Sequence, residues 1–272
     1  MKNLLSSLFS FKKVTQKVIF VMSASILFTS FFTQATELNT AQAAWENLVG
    51  ERFVSRPEFA YVKNNPSLPN VLLYGDSISI HYTEQVRENL DNKANVYRLY
   101  RNGSDSGGVI TKMNKMLSVM QNPELKDHWS FSWDVIHFNV GLHDLKYVAN
   151  GKLDKVNGKL VSTITEYKNN LRNIVIYLKK LAPKAQLIFA TTTPVPEGEL
   201  GRFAGDEEKY NTAALDVLKD FPEVEINDLY QLTKPNHNKW WLKPGDVHYN
   251  PQGTKAHANK VAKVILSQNI FN

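Results

Sequence analysis

Val71-Leu72-Leu73-Tyr74-Gly75-Asp76-Ser77 joins four apolar residues, the length of a buried strand, to a glycine turn and a polar pair that opens the next segment. Runs of the same kind recur at Val96–Tyr100, Val135–Val140 and Leu187–Thr191, with a weaker fifth at Val224–Ile226. Between them lie stretches of helical periodicity: Thr83–Leu90, Val109–Met120, Ser162–Leu181, Asp206–Lys219 and Gln252–Ser267. In Ser162–Leu181 the residues Ile164, Tyr167, Leu171, Ile174, Val175 and Leu178 recur at steps of three and four, and the segment stops before Pro183. Strands alternating with helices predict an α/β domain: a mostly parallel five-stranded sheet, covered by helices on both faces. Active residues then belong in the loops after the strands' carboxyl ends.

The chain has 272 residues, 43% hydrophobic and 21% charged, enough apolar material for one sizeable core. Its N-terminus reads separately. Lys2, Lys12, Lys13 and Lys17 lead into the uncharged stretch 18–32, followed by small and polar residues, the layout of a secretory signal peptide. That stretch falls short of the roughly 20 apolar residues that span a bilayer, so cleavage is expected rather than a retained membrane anchor. Ala41-Gln42-Ala43 meets the small-x-small rule, and Thr33-Gln34-Ala35 is an alternative. The expected organisation is a signal peptide over 1–43, a lead-in segment over 44–70 with Pro57, Pro66 and Pro69, and one domain over 71–272, secreted or periplasmic. The absence of cysteine excludes disulfides, thiolate metal sites and a cysteine nucleophile. Removal of residues 1–43, with four lysines and one glutamate, lowers the formal charge from +6 to +3, too mild an excess to point to nucleic acid.

Ser77, directly after the first strand and before a helix, places a hydroxyl at the sheet's carboxyl edge near a helix N-terminus. A serine there is also an ordinary capping residue, so its partners decide the matter. Asp246-Val247-His248 lies in a loop between Pro244-Gly245 and Pro251. Its one-residue spacing lets the carboxylate reach the imidazole Nδ1–H and leave Nε2 free to take the serine proton. A serine, a histidine and a carboxylate of this kind make a hydrolase the leading reading, and the chemistry needs no cofactor. His137, His143, Asp144, Asp246, His248 and His257 are metal-ligand types, yet their spacing matches no ligand motif such as His-Glu-x-x-His, and no metal is expected. His257, on the last helix, is expected to face solvent. The tryptophans of 128–133 and the pair Trp240-Trp241 suit core packing or stacking on substrate, and the pair is a candidate for substrate binding because it precedes Asp246 closely. The segment Thr191–Pro196 is expected to line the cleft edge.

Taken in order, four blocks resemble the GDSL, or SGNH, hydrolase family, and the resemblance runs from about Val71 to Ser267. Gly75-Asp76-Ser77-Ile78 is similar to the first block, which implies Ser77 as nucleophile. Asn102-Gly103-Ser104-Asp105-Ser106-Gly107-Gly108 is similar to the second, which implies a glycine N–H in the oxyanion hole, with Gly107 the best match. Asp246-Val247-His248 matches the last. The third, Gly141-Leu142-His143-Asp144, departs from the family's usual Gly-x-Asn-Asp, whose asparagine amide donates to the oxyanion. A neutral imidazole offers one N–H, so His143 can donate in its place. Asn139 is the alternative donor, and Asp144 a candidate substrate contact. Ser79 stands where a Gly-x-Ser-x-Gly elbow has its second glycine, which argues against the elbow-bearing hydrolases.

The resemblance implies a three-layer flavodoxin-like fold. It also implies a serine esterase, secreted by the reading of the N-terminus, with Ser77, Asp246 and His248 as triad and Ser77, Gly107 and His143 around the oxyanion. The expected substrate is a small-molecule or polysaccharide ester, with short acyl groups such as acetyl on carbohydrate favoured. The alternatives are a lipase, lysophospholipase or thioesterase of the same family, or a non-catalytic or acyl-transferring module that binds acylated polysaccharide. Once the signal is cleaved no stable membrane anchor is expected, and the sequence sets no oligomeric state.

Overall fold

The structure is a computed structural model that describes residues 39–271. Strands β1 (Asn70–Tyr74), β2 (Asn95–Arg98) and β3 (Val135–Phe138) are followed by three short ones, β4 (Tyr147–Ala149), β5 (Lys152–Leu153) and β6 (Lys159–Leu160), then by β7 (Gln186–Ala190) and β8 (Glu225–Asn227). Five of these form one parallel sheet in the order β2-β1-β3-β7-β8, and β5-β4-β6 form a small antiparallel sheet beside it. The helices are α1 (Ala41–Val49), α2 (Glu51–Val54), α3 (Ser77–Asn89), α4 (Val109–Met120), α5 (Ile164–Leu181), α6 (Asp206–Leu218), α7 (Leu229–Thr233), α8 (His237–Trp240) and α9 (Pro251–Leu266).

Every residue of β1 is buried, as a central parallel strand with both faces covered requires. The chain runs from β1 through α3 to β2, then back through α4 to β3 and outward to β7 and β8. Helices α3 and α9 therefore pack together on one face, joined at their surface by Asn89 and Asn259, while α5 packs against α6 on the other. The strand order reverses between β1 and β3, and a crevice opens there at the carboxyl ends of the strands.

The predicted core helix begins at Ile164, where Thr163 and Glu166 form a reciprocal capping box, and it buries Tyr167, Leu171, Ile174, Val175 and Leu178. The lead-in segment is helical at its start and belongs to the core: Trp45 and Phe59 are buried, and the Trp45 indole N–H donates to the Phe59 carbonyl at 2.7 Å. Trp45, Tyr97, Trp129, Phe131 and Trp133 form one aromatic cluster, so Trp129 and Trp133 serve packing below the amino ends of the strands, far from the crevice. The uncharged stretch 18–32 and the alternative cut after Ala35 lie outside the described residues. Ala43 lies in the first turn of α1, where its N–H donates to the Thr40 hydroxyl at 3.1 Å. Among the described residues no helix is long and apolar enough to cross a membrane.

His257 corrects one expectation. It is buried, and its ring contacts the hydroxyl of Thr233 on α7 at 2.7 Å. The single hydroxyl hydrogen of Thr233 goes to the Leu229 carbonyl, so the His257 Nε2–H is the donor in that pair. Its position i, i+4, i+7 and i+8 with Val261, Val264 and Ile265 puts it on the apolar face of α9.

Candidate active site

Ser77 is the first residue of α3. Asp76 caps that helix, its carboxylate accepting from the Ile78 N–H at 2.9 Å, and this holds Ser77 at the exposed end of β1. The Ser77 hydroxyl lies 2.8 Å from His248 Nε2. On the far side of the ring, His248 Nδ1 lies 2.6 Å from Asp246 Oδ1, and the same oxygen accepts the His248 backbone N–H at 3.0 Å. The Asp246-Val247-His248 turn is thus closed on itself by one carboxylate oxygen. Burial works to raise the Asp246 carboxyl, but the hydrogen bonds from His248 and the charges of His248 and Lys243 outweigh it and leave its pKa below the usual range. With the carboxylate ionised, Nδ1 carries the ring proton and Nε2 accepts from the serine hydroxyl. His81, one turn beyond Ser77, stands with its ring centroid 5.2 Å from that of His248.

Two further loops close around the serine. Gly103 donates its N–H to the Gly75 carbonyl at 2.9 Å, and a Cβ on Gly103 would meet that oxygen at 2.7 Å, so only glycine allows the two loops to touch. Gly107 lies in the 3₁₀ turn Ser106–Gly108 that leads into α4. The turn is tied to the loop after β3: the Ser106 N–H and hydroxyl both donate to the Asp144 carboxylate, the hydroxyl at 2.5 Å. Burial raises the Asp144 pKa to about 6. Asp144 is therefore a buried brace between the loops of Gly107 and His143, and not the substrate contact expected from the sequence. His143 is half-buried and lines the cleft together with Ser77 and His248. Burial, then the charges of Lys146 and Arg202, lowers its pKa to about 3, so the ring is neutral at ordinary pH.

The family model described as GDSL-like Lipase/Acylhydrolase matches residues 24–261. The chain belongs to this family. Its members are generally ester hydrolases, and the parallel sheet flanked by helices is their fold. Among solved structures, a lipase/acylhydrolase from Enterococcus faecalis is 14% identical with a TM-score of 0.56, covering 72% of this chain and 95% of its own. An acetylxylan esterase from Geobacillus stearothermophilus has the same identity, 14%, and TM-score, 0.56, covering 75% and 96%. A second acetyl xylan esterase is 15% identical with a TM-score of 0.54, covering 72% and 99%. These likenesses establish a shared fold. No curated protein matches the chain significantly.

In this GDSL-like hydrolase three other candidate residues, Asn139, Trp240 and Trp241, lie away from the cleft. Both amide hydrogens of Asn139 are taken up by the carbonyls of Ala190, at 2.8 Å, and Thr191, at 3.3 Å, so the side chain ties β3 to β7 and is no oxyanion donor. Trp240 is buried against His257 and Gly253, and Trp241 bridges to Tyr249 at the foot of the Asp246–His248 turn. Neither lines the cleft. Thr191–Pro196 is buried too, its main chain tied to Asn211, so the expected cleft edge is instead the following loop. There a buried ion pair joins Arg202 to Glu199 at 2.8 Å, and the Arg202 Nε–H donates to the Leu142 carbonyl at 2.7 Å.

The cleft, of about 610 Å³, is also walled by Lys146, Lys243, Val148 and Leu153. None of these was singled out from the sequence. The β4–β5 hairpin that carries Val148 and Leu153 had a signal: Asn150-Gly151 with φ of 50° and 75° is the pair a tight two-residue hairpin turn requires. Lys146, Arg202 and Lys243 had none, because their role comes from which loops meet.

Proposed function

We propose that the protein is an exported serine esterase that removes short acyl groups, acetyl above all, from carbohydrate. The observation that carries the reading is the unbroken row from the Ser77 hydroxyl through His248 to Asp246, with contacts of 2.8 and 2.6 Å. In the proposed reaction Ser77 Oγ attacks the ester carbonyl carbon while His248 Nε2 takes the hydroxyl proton. The Ser77 and Gly107 backbone N–H groups and the His143 ring hold the oxyanion. As the intermediate collapses, His248 returns the proton to the departing alcohol. Water then attacks the acyl-serine by the same route, and the acid leaves. Asp246 holds the His248 ring and stabilises the imidazolium.

Support for carbohydrate comes from the cleft, which is wide and set with Asn102, Lys146 and Lys243, groups that hydrogen-bond hydroxyls. Two of the structures that share its fold are acetylxylan esterases. Support for export is the lysine-led apolar stretch near the N-terminus. A second reading, a lipase or thioesterase, draws on Leu153 and Leu200, apolar side chains exposed at the cleft mouth where an acyl chain would pass.

The test is labelling with a fluorophosphonate probe and hydrolysis of nitrophenyl esters of graded chain length. Wild type should be labelled and should prefer acetyl, and Ser77→Ala should lose both labelling and turnover. Hydrolysis retained in Ser77→Ala removes the mechanism, and a preference for eight or more carbons moves the reading to the lipase class.

A further inference from the structure

Lys146 Nζ lies 3.0 Å from His143 Nδ1. The two residues are three apart on the turn that leaves β3, where the Asp144 and Leu145 N–H groups both donate to the Gly141 carbonyl and bend the chain so that Lys146 reaches back over His143. An ammonium has donors only, so at this distance Nδ1 must be the acceptor, and the single proton of a neutral ring then sits on Nε2. We propose that Lys146 is a positioning residue: its hydrogen bond to Nδ1 holds the His143 ring in one orientation and in the Nε2–H tautomer, turning that N–H to the cleft as an oxyanion donor. The proposal rests on the serine esterase reading for its catalytic consequence, while the tautomer itself is independent of it.

The surroundings fit this division of labour. Burial and the neighbouring Arg202 charge lower the Lys146 pKa from 10.5, while Asp105, Asp144 and Asp76 oppose that shift and favour the ammonium. The charges of Lys146 and Arg202 both disfavour a second proton on His143, against the single attraction of Asp105. Arg202 is held by other partners, its Nε–H donating to the Leu142 carbonyl and its Nη1 to Glu199. A ring without Lys146 would be free to turn, to exchange tautomers and to present a bare nitrogen to a developing negative charge. An asparagine at this position has no tautomer to fix and would need no such partner.

The test is a double-mutant cycle on purified protein, read by kinetics and by ¹⁵N NMR of the histidine side chains at pH 7.5, with the His143 signals assigned by their loss in His143→Asn. In wild type the two His143 nitrogens should give widely separated signals, protonated Nε2 and bare Nδ1. In Lys146→Met these should move toward each other, and kcat should fall about tenfold with KM little changed, the fold-change that one charge-assisted hydrogen bond typically carries. Lys146→Arg, which keeps a donor, should recover part of the loss. In a His143→Asn background Lys146→Met should cause no further loss, whereas a merely structural lysine would cost the same in both backgrounds. Equal losses in both, or a wild-type ring with its proton on Nδ1, overturns the proposal. Should Ser77→Ala remain active, the esterase reading fails while the NMR arm still decides the tautomer.

Discussion

Asp246→Asn should be a far milder lesion than Asp246→Ala, because one oxygen does the work of orientation. Oδ1 alone accepts both the His248 N–H and Nδ1–H. An asparagine with its carbonyl oxygen in the same place keeps both bonds, so the turn and the ring tautomer survive, and what disappears is the negative charge beside the imidazolium. Two unit charges about 4 Å apart interact by about 4 kcal/mol at an effective dielectric constant of about 20. The Asp246 and His248 side chains are 19% and 29% exposed, and solvent screening trims that figure to about 3 kcal/mol, or about a hundredfold in kcat. Alanine removes the acceptor as well. With nothing to hold Nδ1–H, part of the population carries its proton on Nε2 and cannot accept from Ser77, which adds roughly ten- to hundredfold. The measurement is kcat on 4-nitrophenyl acetate for wild type, Asp246→Asn and Asp246→Ala, with the fraction of active enzyme fixed by fluorophosphonate titration. Equal losses in the two variants would refute the single-oxygen argument. An undiminished Asp246→Asn would refute the role of the charge.

Gly141 has φ of 141°, and a Cβ there would lie 2.2 Å from Thr192 Oγ1; Gly141→Ala should therefore cost about 2–4 kcal/mol and lower Tm by roughly 5–10 °C, and a Tm within about 2 °C of wild type would contradict the clash. His137 and His257 are fully buried and held neutral, burial lowering each pKa from 6.5 to about 4. The unfolded chain takes up these protons below pH 6.5 while the folded one resists, so their contribution is complete above pH 6.5 and is lost as pH falls toward 4; at pH 5 the loss amounts to about 2 kcal/mol each. Thermal melts between pH 7.5 and 5 should accordingly be less steep in His257→Gln than in wild type, and identical pH profiles would contradict the assignment.

The strands were legible because a buried parallel strand is a continuous apolar run, and all five predicted runs overlap the observed ones within two residues at either end. Helix α3 begins six residues earlier than its periodicity suggests, since Ser77-Ile78-Ser79-Ile80 alternates with period two like a strand, and only the Asp76 cap and packing against α9 make it helical. The burial of His257 was readable in principle, because its helical spacing from Val261 and Val264 places it on the inner face of α9.

Local pattern was enough to place the strands of the sheet, the four blocks in order, and the serine, histidine and carboxylate that the fold brings into contact, since each is written in apolar runs, turns and short spacing. Which polar side chain around the third block faces the cleft depended on tertiary contacts. Asn139 and His143 are four residues apart and both polar, yet the carbonyls of Ala190 and Thr191 take the amide of the first, and the second is left in the cleft with Lys146 against its ring. A hydrogen bond has a direction and a length, and these are set by which distant segments the fold brings together. No spacing along the chain encodes them.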